Sequence, residues 1–258
     1  MSAPPTDYRS RIYAAYVSRG HGQELRVDRA AASRRARYLA KVLAGWLPED
    51  REATIADLGC GAGDVLAAFD AFGYTRLAGV DRSSEQVQLA QKIAPRVVEG
   101  DLFEYLADQA ATLDLATGFD IIEHLGKDEA LAFLDVCHRA LKPGGRLVLQ
   151  TPNAESPWGP AIRYGDFTHE VCFTPASLSW LLRLCGFERV EAREAGPRAL
   201  GVASWGRVML WRAIRSVLAL WNIAETGSKG SGIYTRVFLI SAVKSSATKS
   251  SASASAAR

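Results

Sequence analysis

The stretch Ala53-Thr-Ile-Ala-Asp-Leu-Gly-Cys-Gly-Ala-Gly-Asp-Val-Leu66 constrains this chain more than any other. A short apolar run meets Asp57, three glycines follow at alternate positions, and a helical run begins. The pattern predicts a buried strand, a tight backbone turn, and a helix that starts beneath the turn. Glycine at 59, 61 and 63 lets a ligand lie against the main chain, where a Cβ would clash. Free N–H groups at the start of the next helix face the same space. A dinucleotide site needs G-x-G-x-x-G, with a pyrophosphate on the helix N-terminus. Here the third glycine comes one residue early, and Asp64 stands where the helix begins. Asp57 and Asp64 would repel a diphosphate, so the site suits a ligand that carries positive charge.

Around that stretch the chain alternates. A helical pattern over 28–47 precedes the first strand, 54–58. Then come a helix over 64–72, a strand over 74–81, a helix from Ser83 or Ser84 to about residue 93, a strand over 96–99, a helix over 102–109 and a strand over 113–117. A helix over 127–141 is closed by Lys142-Pro-Gly-Gly145, and a fifth strand covers 146–151. After a long loop, 153–173, a helix over 175–185 and strands over 187–194 and 233–243 complete the pattern. Strict alternation predicts a parallel sheet with helices on both faces.

Of the 258 residues, 48% are hydrophobic and 23% charged, which suits one large domain with a real core. A net charge of +3 argues against the dense basic face of a nucleic-acid binder. The four cysteines, at 60, 137, 172 and 185, form no CxxC pair, so reduced thiols and a cytoplasmic chain are expected. The first residues show no apolar signal region. Tyr8, Tyr13 and Tyr16 stand among arginines in 1–28. A short helix is expected near 7–18, either packed on the surface or serving as a lid over the ligand. The Ser- and Ala-rich run 245–258 reads as a disordered tail.

Asp57-Leu-Gly-Cys-Gly-Ala-Gly63 resembles motif I of the class I S-adenosylmethionine (SAM)-dependent methyltransferases. Further landmarks strengthen the resemblance. Asp81 ends the second strand, where that family places an acid for both ribose hydroxyls, and a carboxylate is the right partner for a vicinal diol. Gly100-Asp101-Leu102 follows the third strand, where the family's acid meets the adenine amino group. Leu141-Lys-Pro-Gly-Gly-Arg-Leu-Val148 is similar to the family's turn into the fifth strand. The resemblance covers about 50–195. It implies SAM as cofactor, held by Asp57, Gly59, Cys60, Gly61, Gly63, Asp81, Arg82, Asp101 and Leu102. The fold then expected is α/β: a Rossmann-like, seven-stranded, mostly parallel sheet with helices on both faces and an antiparallel last strand. The methyltransferase domain would comprise 29–195 and 233–244, with a helical insertion, 196–232, before the last strand.

Asp120-Ile-Ile-Glu-His-Leu125 follows the fourth strand, where sheet folds of this type do chemistry. Asp120, Glu123 and His124, with His169 from the long loop, would hold a divalent metal such as Mg²⁺ or Mn²⁺. The run is similar to the Glu-x-x-Glu-His motif of ubiquinone-biosynthesis O-methyltransferases and small-RNA 2′-O-methyltransferases. In the latter, a later histidine completes a metal site. The metal-free alternative makes His124 or His169 the general base for an acceptor hydroxyl, with Glu123 as an orienting partner. His138 reads as a helix-end charge, and His21 carries no signal.

The loop Arg163-Tyr-Gly-Asp-Phe-Thr-His-Glu170 and the following Phe173-Thr-Pro-Ala-Ser-Leu178 look like a bacterial methyltransferase group associated with surface-glycan biosynthesis. Aromatics with Arg163 and Asp166 suit a sugar, and nearly as well a quinol headgroup. The expected acceptor is therefore a hydroxyl of a glycan or glycolipid precursor, with a prenylated quinol or another small molecule as alternatives. A SAM-binding partner protein without catalysis is the non-enzyme alternative.

Residues 202–223 are apolar, with Trp205, Trp211 and Trp221 interrupted by Arg207, Arg212 and Arg215. The arginines argue against a membrane-spanning helix. One reading packs the helix on the domain or on the partner of a homodimer. The other lays it in a membrane interface, basic face up, which would make the protein peripheral at the inner face.

Overall fold

A computed structural model describes residues 8–13, 29–199 and 201–246 of the chain. His21, Tyr16, most of the expected N-terminal segment and the tail from 247 lie outside the described residues. The elements run α1 (Tyr8–Tyr13), α2 (Arg29–Val42), β1 (Thr54–Leu58), α3 (Asp64–Ala71), β2 (Arg76–Asp81), α4 (Ser84–Ala90), β3 (Arg96–Glu99), α5 (Leu102–Ala107) and β4 (Leu113–Phe119). After a short 3₁₀ turn, Ile122–His124, come α6 (Lys127–Ala140), β5 (Leu141–Pro152), α7 (Gly159–Arg163), α8 (Pro175–Leu184), β6 (Phe187–Glu194), α9 (Val202–Thr226) and β7 (Val237–Lys244).

The strands form one seven-stranded sheet in the order β3-β2-β1-β4-β5-β7-β6. The pairs β3–β2, β2–β1, β1–β4 and β4–β5 are parallel, and β7 is antiparallel to both neighbours, β5 and β6. The fold is the expected Rossmann-like one, and the strand order reverses between β1 and β4. There the carboxyl ends of the strands open a crevice for a ligand. Strand β1 sits inside the sheet, beside the central β4, because Ile55, Ala56 and Leu58 are apolar on both faces and fully buried. One apolar layer, with Phe133, Leu134 and Leu178, packs α5, α6 and α8 on one face; the other, with Leu39, Leu66 and Phe69, packs α2, α3 and α4 on the opposite face.

Three stretches depart from the sequence pattern. The Lys142-Pro-Gly-Gly145 turn is taken into β5, which starts directly after α6. Leu141 pairs with Leu113, the register then shifts, and Arg146 pairs with Leu115. Gly145 permits the bulge, since a Cβ there would stand 2.8 Å from the Lys142 carbonyl oxygen. Strand β7 begins at Val237 rather than 233, because the Ile233 and Thr235 carbonyls accept from Asn153 Nδ2 at 2.8 and 3.0 Å. The long loop after β5 holds a one-turn helix, α7, that the polar sequence did not announce.

Candidate active site

The glycine turn folds back on β2: the N–H groups of Gly59 and Cys60 both donate to the Val80 carbonyl, at 2.9 and 3.1 Å. All three glycines have positive φ, at 68°, 52° and 89°. Their reasons differ. A Cβ at 59 would come within 2.9 Å of Ile121 Cδ1, and one at 63 within 3.1 Å of Ala90 Cβ, so these two serve packing. A Cβ at 61 would meet nothing within 4 Å. Gly61 is the position that faces open space. The pocket beside the turn is lined by Gly59, Val80, Asp81, Gly100 and Leu102, together with Ile121 and His124.

The expected cofactor residues fall into two groups. Asp81 holds the turn: its Oδ2 accepts from Gly61 N–H and its Oδ1 from Ser83 N–H, both at 2.8 Å. Each oxygen keeps a lone pair toward the pocket. Burial pushes the Asp81 carboxyl up against those backbone bonds. Asp57 is buried and accepts from Thr117 Oγ1 at 2.6 Å. Burial, with the neighbouring Asp81 charge, raises its pKa to about 7 against the pull of Thr117 and Arg35. A carboxyl so poised gains most from a cation placed beside it.

Cys60 and Asp101 have structural partners of their own. The Cys60 side chain is buried against Gly79, under β2, and burial raises its thiol pKa, so the loop offers only its backbone. Asp101 caps α5: its Oδ1 accepts from Phe103 N–H at 2.7 Å, and its Oδ2 pairs with Arg82. Burial would pull its carboxyl up, but the bonds from Arg82 and Phe103 hold it below the usual range. Leu102 and Phe103, rather than the Asp101 carboxylate, line the pocket.

On the acceptor side, Asp120 turns the chain out of β4 with φ 54°, a left-handed conformation that aspartate tolerates. Its Oδ2 accepts from Gln150 Nε2 at 2.9 Å. Glu123 follows, fully buried, with Oε2 accepting from Thr151 Oγ1 at 3.0 Å and Oε1 without a partner among the described residues. Burial and then the Asp120 charge push its carboxyl well above the usual range. The Glu123 carbonyl accepts from the N–H groups of Glu170 and Val171, at 2.7 and 3.1 Å, and so draws the 153–173 loop over the site.

That loop delivers His169 to His124. One atom each of Glu123, His124 and His169 lie within 4.8 Å of one another. Asp120 is not among them, so the expected four-residue metal set narrows to three. The two imidazoles and single carboxylate also make a more nitrogen-rich set than Mg²⁺ favours. The His169 Nδ1 lies 3.1 Å from the Ile162 carbonyl, which only accepts, so Nδ1 carries the proton. Thr168 Oγ1 donates to Asp166 Oδ1 at 2.6 Å and accepts from His124 Nδ1 at 2.8 Å. Both rings thus spend Nδ1 on the chain. Burial, then His169, hold His124 below the usual imidazole value.

Arg163 and Asp166, expected to meet the acceptor, bond within their own loop. Arg163 donates to the His169 and Glu170 carbonyls, and Asp166 also accepts from Thr168 N–H. Both shape the loop. Its aromatics Trp158, Tyr164 and Phe167 are exposed. His138 packs edge-on to Phe187 with ring centroids 5.0 Å apart, away from the site.

Two arginines were missed. Arg35, on α2, lies 5.9 Å from the Phe119 ring and is near enough to Asp57 and Asp120 to lower both carboxyls. Arg9, on α1, lines the cofactor pocket and bonds Glu129 at 2.7 Å through both terminal nitrogens. Tyr8 donates to Glu170 and packs edge-on to Phe167. Both read in the sequence as ordinary surface cations.

A family model described as a methyltransferase domain matches residues 27–192. The chain belongs to the class I SAM-dependent methyltransferases. A trans-aconitate 2-methyltransferase of Azoarcus sp. (strain BH72) is 31% identical over 187 residues, 71% of this chain and 65% of the relative. A ubiquinone biosynthesis O-methyltransferase of Idiomarina loihiensis is 31% identical over 107 residues, 38% of this chain and 42% of the relative. The chain thus spans less than two thirds of the length of these curated relatives. A SAM-dependent methyltransferase structure from Archaeoglobus fulgidus shares the fold, with a TM-score of 0.61 and 21% identity over 92% of this chain and all of that one.

SAM is the cofactor of this family, and the residues present fit it. Gly61 leaves room for it, Asp81 has lone pairs for a ribose diol, and Asp57 offers a carboxyl that a sulfonium or ammonium would ionise. Among the described residues no helix is long and apolar enough to cross a membrane.

Proposed function

We propose that this methyltransferase O-methylates a hydroxyl of a sugar, in a glycan or glycolipid precursor. The observation that carries the oxygen assignment is the histidine pair. Two adjacent imidazoles whose Nδ1 atoms are held by the chain, one of them lining the cofactor pocket, offer Nε2 as a proton acceptor for a hydroxyl. A carboxylate acceptor, as the name of the Azoarcus relative suggests for that protein, needs no base. The exposed rings of Trp158, Tyr164 and Phe167 favour a flat or stackable acceptor and fit a quinol headgroup as the second choice.

Bound SAM supplies an electrophilic methyl group and a neutral thioether leaving group. Asp81 orients the nucleoside, and Asp57 balances the cofactor's positive charge. His169, or His124, removes the hydroxyl proton as the oxygen attacks in line. The main contribution of the chain is positioning. Helix α1 closes over the pocket as a lid, tied down by Arg9 and Tyr8.

A metal-assisted variant rests on the orphaned Oε1 of Glu123. With His124 and His169 it would hold a divalent ion, and the ion would polarise the acceptor hydroxyl. Glycolipid and quinol acceptors both reside in a membrane, so the reading includes peripheral membrane association through 202–223.

The test is methyl transfer from labelled SAM to lipid, polysaccharide and small-molecule fractions of a lysate. Label in an alkali-stable ether within the lipid or polysaccharide fraction is expected. Label only in alkali-labile esters overturns the oxygen-of-a-hydroxyl reading, and SAM binding with no transfer to any fraction favours a non-catalytic partner.

A further inference from the structure

Helix α9 turns its apolar side outward. Its polar side faces the domain: Trp211 Nε1 donates to Glu194 at 3.4 Å, Arg215 pairs with Glu194 at 3.5 Å, and Arg215 Nε donates to the Gly232 carbonyl at 3.1 Å. None of its described side chains is buried. At 3.6 residues per turn, Met209, Val202, Leu220, Val217, Leu210 and Trp221 succeed one another around the opposite side. Val202 is 92% exposed, and Leu210, Leu220 and Trp221 are 63 to 67% exposed. A water-facing helix of a soluble domain carries its polar residues there instead.

The margins of this stripe say what covers it. On the same projection Arg207 and Arg212 fall at its two edges, where long side chains reach past an apolar surface to phosphate. Among the described residues neither has a carboxylate partner. The one acid of the helix, Glu225, accepts from Trp221 Nε1 at 3.1 Å. On the projection Trp221 falls beside Arg207 and Trp205 beside Arg212, at the margins of the stripe, where an amphipathic ring meets the headgroup layer. A second copy of the helix would bring the same cationic edges together with little acid to meet them.

We propose that α9 is an anionic-membrane docking helix, lying in the lipid interface with its outward stripe immersed and Arg207 and Arg212 at the phosphates. This rests on the membrane part of the proposed function and not on the chemistry of the acceptor. It fixes the orientation of the enzyme, because the inward face of α9 is tied to the β6–β7 edge through Glu194. The linker after α9 also reaches the acceptor loop: Ser231 donates to Glu155. A docked α9 therefore holds the post-β5 loop near the bilayer, where a lipid-linked acceptor would be presented.

The experiment is co-sedimentation of the full chain with vesicles of phosphatidylcholine alone and with 30% phosphatidylglycerol, each at low and high salt, beside SAM titration by calorimetry. Wild type is expected to bind the anionic vesicles at least tenfold better than the neutral ones, and to lose most of that preference in high salt. The double variant Leu210→Glu/Val217→Glu should lose vesicle binding while SAM affinity stays within twofold, which shows that the domain is intact. Arg207→Gln/Arg212→Gln should lower the anionic preference and leave SAM affinity alone. Equal binding of wild type and Leu210→Glu/Val217→Glu overturns the proposal. So does a wild-type dimer that binds no vesicles and becomes monomeric in that variant. Both results leave the methyl-transfer reading standing, since neither involves an acceptor.

Discussion

His124 and His169 meet edge to face, with ring centroids 4.9 Å apart and planes at 61°, and each ring has its Nδ1 committed to an oxygen of the chain. The consequence is a division of labour between cofactor and acceptor. His169→Ala removes a ring from the acceptor side and leaves the glycine turn, Asp57 and Asp81 untouched. Turnover should fall by ~10²–10⁴, the usual contribution of a positioned base. SAM affinity should stay within a few-fold in a calorimetric titration. An equal loss of both places His169 in the cofactor site instead.

Asp57 is expected to make cofactor binding depend on pH. Its folded pKa is raised, from 3.8 to about 7, so below pH 7 the carboxyl is mostly neutral. The ionised form is the one that stabilises a cationic ligand. SAM affinity should therefore rise with pH up to about 7.5 and fall by about tenfold for each unit below 7. Near pH 7, calorimetry in two buffers of different ionisation enthalpy should show proton release on binding. In Asp57→Asn both the slope and the proton release should vanish, with weaker affinity throughout.

Arg35 is expected to pair with the carboxylate of the cofactor's amino-acid end. It lies 5.9 Å from the Phe119 ring and acts electrostatically on Asp57 and Asp120, the acids at the strand ends beside the glycine turn. Losing a charge-assisted hydrogen bond costs about 1.5–3 kcal/mol, so Arg35→Ala should weaken SAM by roughly 10- to 100-fold. Adenosine, which lacks the carboxylate, should bind wild type and Arg35→Ala equally well. A parallel loss for adenosine would show that the arginine only supports the fold.

How much of this was legible in the chain follows from how local each signal is. The glycine turn, Asp57 and Asp81 are set by strand ends and short spacings, which survive in a sequence. Asp101 was legible as a residue, but its capping of α5 was not, because capping and binding a ligand use the same carboxylate. Arg163 and Asp166 misled for a similar reason: a polar loop must first satisfy its own backbone. Arg9 and Arg35 were invisible, since only the tertiary fold turns one cation among many toward a pocket. The outward stripe of α9 was readable as amphipathic, but which side would face the domain was decided by Glu194 on β6.

The Arg9–Glu129 pair makes a second kinetic prediction. Both terminal nitrogens of the guanidinium contact the carboxylate, which also accepts from Gly126 N–H at 2.7 Å. The pair is partly exposed, so its strength should be about 0.5–1 kcal/mol and sensitive to salt. If α1 is a lid, Arg9→Gln should speed SAM release about two- to fivefold and change the association rate little. Glu129→Gln should act alike, and the double variant should be no worse than either single one. Fully additive effects in stopped-flow release would separate Arg9 from Glu129 and remove the clasp.

Glu123 provides the test between a base alone and a metal. Its Oε1 is buried without a partner beside two imidazoles, and burial keeps the carboxyl well above the usual range. Such a group ionises only next to a cation. If an ion is required, dialysis against chelator should abolish methyl transfer and leave SAM binding intact. Addition of a divalent ion should raise the melting temperature of wild type but not of Glu123→Gln, a readout that needs no acceptor. If the histidines act alone, transfer survives chelation and the ion shifts neither melting curve. Glu123→Gln then costs little, because a neutral carboxyl and an amide are nearly isosteric and Thr151 can donate to either. The expectation is the histidine-only outcome, in keeping with the role given to His124 and His169 as base; loss of transfer on chelation would instead establish the metal. Of the two ions considered, Mn²⁺ should then rescue better than Mg²⁺, because two of the three donors are imidazole nitrogens.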